Sequence, residues 1–284
     1  MSSEGALILV ATPIGNLGDL APRAVETLRD AHVIAAEDTR RTRALLSHAG
    51  VPAGRRLVAV HAHNERARAA ELVQRIRSGD RVAYVCDAGM PGISDPGERL
   101  VRVCLDAGLR VELVPGPSAT LSALVLSGLP TARFVVEGFL PRSGRDRAER
   151  LAEVARETRT IVIFEAPHRV AATIADLAAV CGDERRVAIA RELTKLYEEV
   201  WRGTLGDAVV HVDAREPRGE HVLVVEGAPP AGEVDDDSLE SAVARELASG
   251  ASARDAAAAV VRDLGVAKRR AYDVAIRLKS ERTA

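Results

Sequence analysis

Three short segments rich in glycine and proline have the composition of ligand-binding loops. They are residues 12–19 (TPIGNLGD), 87–97 (DAGMPGISDPG) and 115–119 (PGPSA). Each follows an apolar run, and glycines at the carboxyl end of a strand let the backbone approach a ligand closely. Two prolines and three glycines fix the shape of the second loop and the direction of its N–H and C=O groups. This loop favours a cofactor with an amino-acid head, whereas the other two segments could equally be a tight turn and a stiff linker.

Charged side chains and histidines follow four other apolar runs. They form four groups: Glu37, Asp38 and Arg40; His63 and Glu65; Glu165, His168 and Arg169; and Arg191, Glu192 and Lys195. Groups of this kind at strand ends can transfer protons or hold an anion. The alternative for each carboxylate with an arginine neighbour is a structural salt bridge or a helix cap.

Several common catalytic signatures do not occur in the sequence. There is no GxxxxGK[ST] loop for a nucleoside triphosphate, no GxGxxG after a strand and no HExxH zinc motif. The three cysteines lie far apart, and none forms a CxxC pair. This pattern indicates a reducing compartment without structural disulfides, and we predict no bound metal.

Apolar runs alternate with amphipathic stretches over most of the chain. In the first part, strands are predicted at residues 7–12, 33–36, 57–60, 81–85 and 110–114, with helices at 22–29, 39–49, 65–77 and 95–107. Continuous apolar strands separated by helices predict a mostly parallel sheet covered on both faces. In the second part, strands are predicted at 134–139, 160–164, 186–190, 199–204 and 221–226. The last three lack full helical spacers, which indicates some antiparallel pairing.

The turn and linker signals predict three parts. An N-terminal α/β domain covers residues 1–116, a second α/β domain covers 117–228, and an acidic linker with a basic helical tail covers 229–284. The tail is predicted to hold three short helices near 238–248, 252–264 and 267–280, in a helix-turn-helix-like arrangement. Its basic residues could contact RNA or could form a solvated helical cap. Residues 143–147 (SGRDR) are predicted to form an exposed loop.

The composition is that of a globular protein with a large aliphatic core. Of 284 residues, 47% are hydrophobic and 28% charged, whereas aromatic residues make up 2%. Rows of stacked aromatics for binding single-stranded nucleic acid are therefore not expected. The net charge of −2 requires any RNA contact to come from a local patch. No apolar run is long enough to cross a membrane and no leader peptide is expected, so we predict a cytoplasmic protein.

Together, these segments make the chain resemble the tetrapyrrole methylase superfamily, which has two α/β domains with S-adenosylmethionine bound between them. The resemblance is more specific to the ribosomal RNA small subunit methyltransferase I family, and it runs from about residue 7 to residue 226. It is carried by residues 12–19, 36–40 (AEDTR), 63–65 (HNE), 137–141 (EGFLP), 164–169 (FEAPHR), 191–195 (RELTK) and 218–220 (RGE). The chain departs from the family pattern at Cys86 and Met90, where serine and threonine are usual.

The resemblance implies a fold, a cofactor and a substrate. The fold is α/β, with two domains of mixed sheets flanked by helices and a small C-terminal helical appendage. The activity is S-adenosylmethionine-dependent methylation of a cytidine 2′-oxygen in 16S ribosomal RNA near the decoding centre, with the assembled small subunit as the expected substrate and a homodimer as the expected state. The implied cofactor-binding residues are Pro13, Gly15, Asp87, Ala88, Gly89, Met90, Pro91, Pro115, Gly116, Ser118 and Ala119.

This chemistry assigns roles to the charged residues at strand ends. The ribose hydroxyl must lose a proton, a general-base task for His63, Glu65 or Glu165. Arg40, Arg191 or Lys195 could hold a phosphate or the developing alkoxide. Two other functions remain open, a tetrapyrrole C-methyltransferase of the same fold and a ribosome-binding factor without enzymatic activity.

Overall fold

A computed structural model describes residues 5–61, 64–93, 97–214, 218–229, 236–264 and 266–281. The chain separates into two compact units. The larger comprises Met1–Ala155 and Arg159–Glu226, and the smaller comprises Arg156–Thr158 and Gly227–Ala284. The predicted domain boundaries, at residues 116 and 228, stay predictions.

The first sheet of the larger unit is parallel throughout. Its strands are β1 (Ala6–Val10), β2 (Val33–Ala36), β3 (Leu57–Ala59), β4 (Arg81–Val85) and β5 (Arg110–Val114), in the order β3-β2-β4-β1-β5. Its helices are α1 (Pro22–Asp30), α2 (Thr39–His48), α3 (Glu65–Arg77) and α4 (Glu98–Asp106). Neighbouring side chains of β1 enter opposite cores, Leu7 on one face of the sheet and Ile8 on the other. Burial on both faces explains why these strands read as continuous apolar runs.

The second sheet is mixed, as predicted, although residues 205–213 form a helix where no full helical spacer was expected. Its strands are β6 (Phe134–Phe139), β7 (Thr160–Glu165), β8 (Arg186–Arg191), β9 (Glu199–Thr204) and β10 (His221–Val225), in the order β6-β7-β10-β8-β9. Only β6 and β7 pair in parallel; the other three pairings are antiparallel. Its helices are α5 (Ala119–Ser127), α6 (Gly144–Arg156), α7 (Val170–Cys181) and α8 (Leu205–Asp213). The predicted fold class is confirmed.

Two cores cover the second sheet. On one face Ala123 and Leu124 of α5 pack with Ile14, which comes from the loop after β1. On the other face the core includes the partly buried Trp201, the only tryptophan of the chain. Its ring stacks on the His211 imidazole of α8, with the ring centroids 4.6 Å apart. The first of these cores ties a loop of the first sheet to the second.

The smaller unit is helical. Its helices are α9 (Asp236–Ala248), α10 (Ala253–Leu264) and α11 (Lys268–Glu281), which share an apolar core. The Ser252 hydroxyl accepts a hydrogen bond from the Asp255 amide and donates one to the Asp255 carboxylate, and these bonds cap the start of α10. Among the residues that the structure describes, no helix has the length and apolarity to cross a membrane.

Two details differ from the sequence-based expectations. The predicted loop at residues 143–147 is wrong, because α6 begins at Gly144. Arg147 anchors that helical turn by donating to the Asp176 carboxylate and to the Pro141 carbonyl, contacts that composition does not reveal. The helix predicted from residue 95 is described from Glu98 onward; residues 94–96 lie outside the described residues.

Candidate active site

A cavity of about 370 Å³ lies between the loops that follow the first sheet and the ends of strands of the second. The first group of lining residues belongs to the loops after β1, β4 and β5 and to the start of α5: Ile14, Ala88, Gly89, Met90, Ile93, Ser118, Ala119 and Thr120. The second group belongs to strands of the second sheet and to the residues next to their ends: Phe139, Phe164, Glu165, Ala166, Pro167, Ala190, Leu193, Glu220, His221 and Val222. We call this space the main cavity. Most of its lining is apolar, and Glu165, Glu220 and His221 are its titratable residues.

Backbone pairing fixes the loops on the first-sheet side of the main cavity. The Thr12 amide donates to the Gly89 carbonyl at 2.9 Å, and the Gly89 amide donates to the Thr12 carbonyl at 3.1 Å. Gly89 has a φ of +78°, and a Cβ there would lie 3.3 Å from Ile14 Cγ2. Glycine is therefore required for this close approach, and the loop after β4 reaches the cavity as backbone.

The N-terminus of α5 also reaches the main cavity. The Ser118 hydroxyl accepts a hydrogen bond from the Leu121 amide at 3.4 Å, which caps the helix. The first two residues of the helix, Ala119 and Thr120, line the cavity. Unpaired amides and the helix dipole make such a terminus favourable for a carboxylate or a phosphate.

A second cavity, of about 330 Å³, adjoins the main cavity. The two share Ile14, Ala88 and Glu220 in their linings. The remaining residues of the second cavity are Thr12, Pro13, Gly15, Leu17, Arg41, Thr42, Ala44, Leu45, Cys86, Asp87 and Lys195. It is the more polar of the two, since it brings a lysine, an arginine and two carboxylates together.

Lys195 is the centre of an ionic network in the second cavity. Its ammonium donates to Glu192 Oε1 at 2.7 Å and to Glu220 Oε2 at 2.8 Å. Partial burial opposes the charge, but these two bonds outweigh it and raise the pKa of Lys195 above its usual range. The lysine therefore stays cationic. A Cβ on Gly15 would lie 2.4 Å from Lys195 Cγ, so the loop after β1 touches the lysine stem directly.

The turn that carries Lys195 has an unusual backbone. Glu192 and Thr194 have φ angles of +51° and +66°, a region that non-glycine residues rarely adopt. The Thr194 amide donates to Glu198 Oε2 at 2.5 Å, and its hydroxyl oxygen accepts from the Asn16 amide at 3.0 Å. Strain of this kind costs about 1–3 kcal/mol per residue and is concentrated at functional sites.

Glu165 and His221 face each other on the paired strands β7 and β10. Glu165 Oε2 accepts from the Thr173 hydroxyl at 2.6 Å, and Oε1 lies 3.2 Å from the Arg169 guanidinium. Burial lowers the pKa of His221, although a contact of 3.1 Å between its Nδ1 and the Gly219 carbonyl opposes the shift. The imidazole is therefore neutral at neutral pH.

Comparisons with known proteins agree with this architecture. The model of the family Tetrapyrrole (Corrin/Porphyrin) Methylases matches residues 6–209. A protein of Synechocystis sp. named Ribosomal RNA small subunit methyltransferase I is 43% identical over 279 residues, which cover 98% of this chain and 99% of that one. A protein of the same name from Mycobacterium bovis is 44% identical over 280 residues, covering 98% and 97% of the two chains.

The chain belongs to the ribosomal RNA small subunit methyltransferase I family. Among solved structures, a cobalt precorrin-4 methyltransferase matches with a TM-score of 0.61 and 16% identity, over 80% of this chain and 96% of that one. Uroporphyrin-III-C-methyltransferase from Thermus thermophilus matches with a TM-score of 0.53 and 23% identity. These two likenesses show the fold alone.

In this methyltransferase I family member, most of the predicted cofactor-binding residues lie at the two cavities. Those in the main cavity are Ala88, Gly89, Met90, Ser118 and Ala119, and those in the second are Pro13, Gly15, Asp87 and Ala88. Pro91, Pro115 and Gly116 line neither cavity. A Cβ on Gly116 would lie 2.9 Å from Ala11 Cβ, so this glycine lets the segment before α5 pass close to β1. The roles of all these residues stay predictions.

The candidate general bases are not brought together. Glu165 lines the main cavity, but Glu65 lines neither cavity. Instead, Glu65 Oε1 accepts hydrogen bonds from the Gly97 and Leu100 amides, at 3.2 and 3.1 Å, and so caps α4. His63 lies outside the described residues. The described structure therefore does not test its role as a general base.

The candidate cations are also separated. Lys195 lines the second cavity, whereas Arg40 is 87% exposed and holds the pKa of Asp38 well below its usual range through hydrogen bonds. Arg191 pairs with Glu199 at 3.2 Å, beside a small cavity of about 40 Å³. No cluster of metal-binding side chains occurs among the residues that the structure describes, and the absence of a metal stays a prediction.

Sequence reasoning missed two titratable residues of the site, Glu220 and His221. Both line the main cavity. The available signal was the family-like RGE segment at residues 218–220, directly before β10. The position of this segment in a loop indicates a function only when the folded chain brings Glu220 beside Lys195.

Proposed function

We propose that this protein transfers a methyl group from S-adenosylmethionine to the 2′-oxygen of a cytidine in 16S ribosomal RNA. The supporting observation is that two cavities of similar size meet at Ile14, Ala88 and Glu220. Methyl transfer requires a donor and an acceptor in contact, and adjoining cavities provide that arrangement. The RNA substrate follows from the names of the relatives that this chain resembles over nearly its whole length.

The main cavity fits S-adenosylmethionine. Its volume of about 370 Å³ lies within the usual range of about 300–1,000 Å³ for small-ligand sites, and its lining is largely apolar. The α5 N-terminus at Ser118 and Ala119 suits the carboxylate of the amino-acid head. When bound, the cofactor would supply a methyl group on a cationic sulfur. Met90 offers no hydroxyl to it, but the backbone groups of the loop remain.

The second cavity fits a segment of RNA. Lys195 and Arg41 line it, and both cations can bind a phosphate oxygen. Lys195 is held at the edge nearest the main cavity by its bond to Glu220. We propose that it stabilises negative charge that develops on the ribose oxygen, as positioned cations do in other transferases.

We propose the assembled small ribosomal subunit as the substrate, the cytoplasm as the place of action and a homodimer as the working form. The exposed face of α5 supports the dimer, because Leu121 and Val125 are 52% and 71% exposed and lie one helical turn apart. Apolar side chains grouped in this way on a monomer indicate a protein interface.

Calorimetry and a ribose-methylation map test the proposed function. We expect the purified protein to bind S-adenosylmethionine. We also expect it to add one 2′-O-methyl group to small subunits taken from cells that lack the protein. Transfer to a porphyrin or corrin precursor in place of RNA would favour the tetrapyrrole C-methyltransferase. RNA binding without any heat of cofactor binding would favour the non-enzymatic ribosome-binding factor.

A further inference from the structure

We infer that Glu220 is the general base that accepts the proton of the ribose hydroxyl. This inference rests on the proposed function and names a residue of the same site. The observation behind it is the position of Glu220 at the junction of the two cavities, with its carboxylate bonded to Lys195.

The junction offers one side chain that can take up a proton. Three residues line both cavities, and two of them, Ile14 and Ala88, are aliphatic. The third is Glu220, whose side chain is 74% exposed toward the open space. A hydroxyl that enters from the second cavity and meets a methyl group held in the main cavity must pass this carboxylate.

The carboxylate is held in place and keeps a free acceptor atom. Its Oε2 accepts from the Lys195 ammonium at 2.8 Å, and the Glu220 amide donates to Glu192 Oε1 at 2.9 Å. Within the described part of the chain, no donor lies within hydrogen-bond distance of Oε1. The charged and titratable residues that line the two cavities with it are Lys195, Arg41, Asp87, Cys86, Glu165 and His221, and Glu192 also contacts Lys195.

The other carboxylates near the junction are already occupied. Glu165 is fully buried, and both of its oxygens have partners, Thr173 on one side and Arg169 on the other. Asp87 accepts from the Asp38 amide at 3.1 Å and lies 3.4 Å from the Arg41 guanidinium. Every oxygen of these two carboxylates therefore already has a hydrogen-bond donor or a cation beside it.

The two nitrogen bases near the junction are less suitable. Lys195 stays protonated because its two carboxylate partners raise its pKa, so it has no lone pair to offer. His221 is neutral, but it lines the main cavity and not the second one, where we place the ribose. Among the described residues, Glu220 is therefore the titratable residue that lines both cavities and keeps an acceptor oxygen without a donor.

The step balances without a further reactant. The hydroxyl oxygen forms a bond to the methyl carbon while the carbon–sulfur bond breaks and its electron pair stays on sulfur. The hydroxyl proton passes to Glu220, which becomes neutral as the sulfonium charge disappears. Lys195 keeps its bond to Glu192 throughout and offers its charge to the ribose oxygen.

The test is single-turnover methylation of small subunits by Glu220→Gln across a range of pH. We expect the methyl-transfer rate to fall by about 10²-fold or more, the usual contribution of a general base. We also expect the acid limb of the pH–rate profile to disappear, because glutamine does not titrate. Glu220→Asp should keep that limb at a reduced rate. Calorimetry and filter binding should show unchanged affinities for S-adenosylmethionine and for the subunit.

Glu192→Gln is the matched control, since Glu192 also accepts from Lys195 but lines neither cavity. It should keep the acid limb of the wild-type profile. A wild-type rate and profile in Glu220→Gln would overturn the inference while leaving the proposed function intact. Failure of the wild-type protein to methylate a ribose oxygen would instead overturn the proposed function.

Discussion

At the residue scale, the contact between Gly15 and Lys195 links the two sheets at the site. A Cβ on Gly15 would lie 2.4 Å from Lys195 Cγ, 2.9 Å from Thr194 Oγ1 and 3.1 Å from the Leu193 carbonyl. The lysine stem can move, but the strained turn behind it cannot move easily, because Thr194 already has a φ of +66°. The glycine therefore sets the distance between the loop after β1 and the turn that carries the lysine.

We expect Gly15→Ala to displace Lys195 and to lower the methyl-transfer rate at least tenfold. The overpacking should also lower the free energy of unfolding by about 1–3 kcal/mol. Denaturant titration and single-turnover kinetics would measure both effects. Gly18→Ala is the control in the same loop, where the nearest atom to a Cβ is Asn16 Oδ1 at 3.1 Å. Equal effects of the two substitutions would contradict this explanation.

His221 makes stability depend on pH in a defined direction. Burial lowers its pKa in the folded protein, whereas the unfolded chain has the ordinary histidine pKa of about 6.5. Below that pH the unfolded state binds more protons than the folded state, so the free energy of unfolding falls as the solution is acidified. We expect His221→Asn to reduce this loss between pH 7.5 and pH 5.5, measured by denaturant titration. The same pH dependence in both proteins would show that His221 does not contribute.

Single residues of the site were predictable only in part. Lys195 and Glu165 were found because they follow apolar strands in family-like segments, and both line a cavity. Glu220 and His221 were missed, because their proximity to Lys195 and Glu165 arises from pairing of β10 with β7 and β8. Pairings between distant strands are a tertiary property that residue types and local spacing do not encode.

At the element scale, one side chain of α3 caps α4, in addition to the apolar core that the two helices share. Glu65, the first residue of α3, accepts from the amides of Gly97 and Leu100, which begin α4. Glu65 was a candidate general base because it follows a predicted strand. Its hydrogen bonds instead stabilise the helix that follows the loop at residues 87–93.

Glu65→Ala should destabilise the protein by about 1–3 kcal/mol, because it leaves two backbone donors of a buried region without their acceptor. We expect Glu65→Gln to lose less, since its amide oxygen can still accept. Thermal unfolding of the two variants checks the difference. A strong loss of methyl transfer in Glu65→Gln, with unchanged stability, would restore Glu65 as a candidate base.

Most elements were predictable because their patterns are simple. The strands of the first sheet are continuous apolar runs, and every predicted strand appears within about two residues of its observed bounds. The helix α4 ends at Asp106, one residue before its predicted end, and Gly108 follows with a φ of +68°. The start of α6 was not predictable, since glycine and serine favour a loop and the helix depends on the distant partner Asp176.

At the scale of the whole molecule, α5 combines two roles. Its N-terminus lines the main cavity, and its outer face exposes Leu121 and Val125. This helix is not amphipathic, because apolar residues lie on all its sides. A helix of this kind is typically buried, which supports a partner molecule on its exposed face.

Val125→Arg tests the proposed homodimer. We expect the substitution to convert a dimer into a monomer in light scattering after size-exclusion chromatography, because it places a charge within an apolar interface. Val210→Arg on α8 is the matched control, since Val210 is also 71% exposed. A wild-type protein that is monomeric at micromolar concentration would exclude the dimer, and a Val125→Arg variant that remains dimeric would exclude α5 as its site.

The stacking of Trp201 on His211 has a spectroscopic consequence. Because this is the only tryptophan of the chain, its fluorescence reports on one place in the second sheet. Trp201, His211 and His221 all line the small cavity of about 40 Å³, and His221 also forms part of the main cavity wall. A ligand that moves His221 reshapes a cavity that this indole also lines, and the protein thus carries an intrinsic optical probe that needs no attached dye.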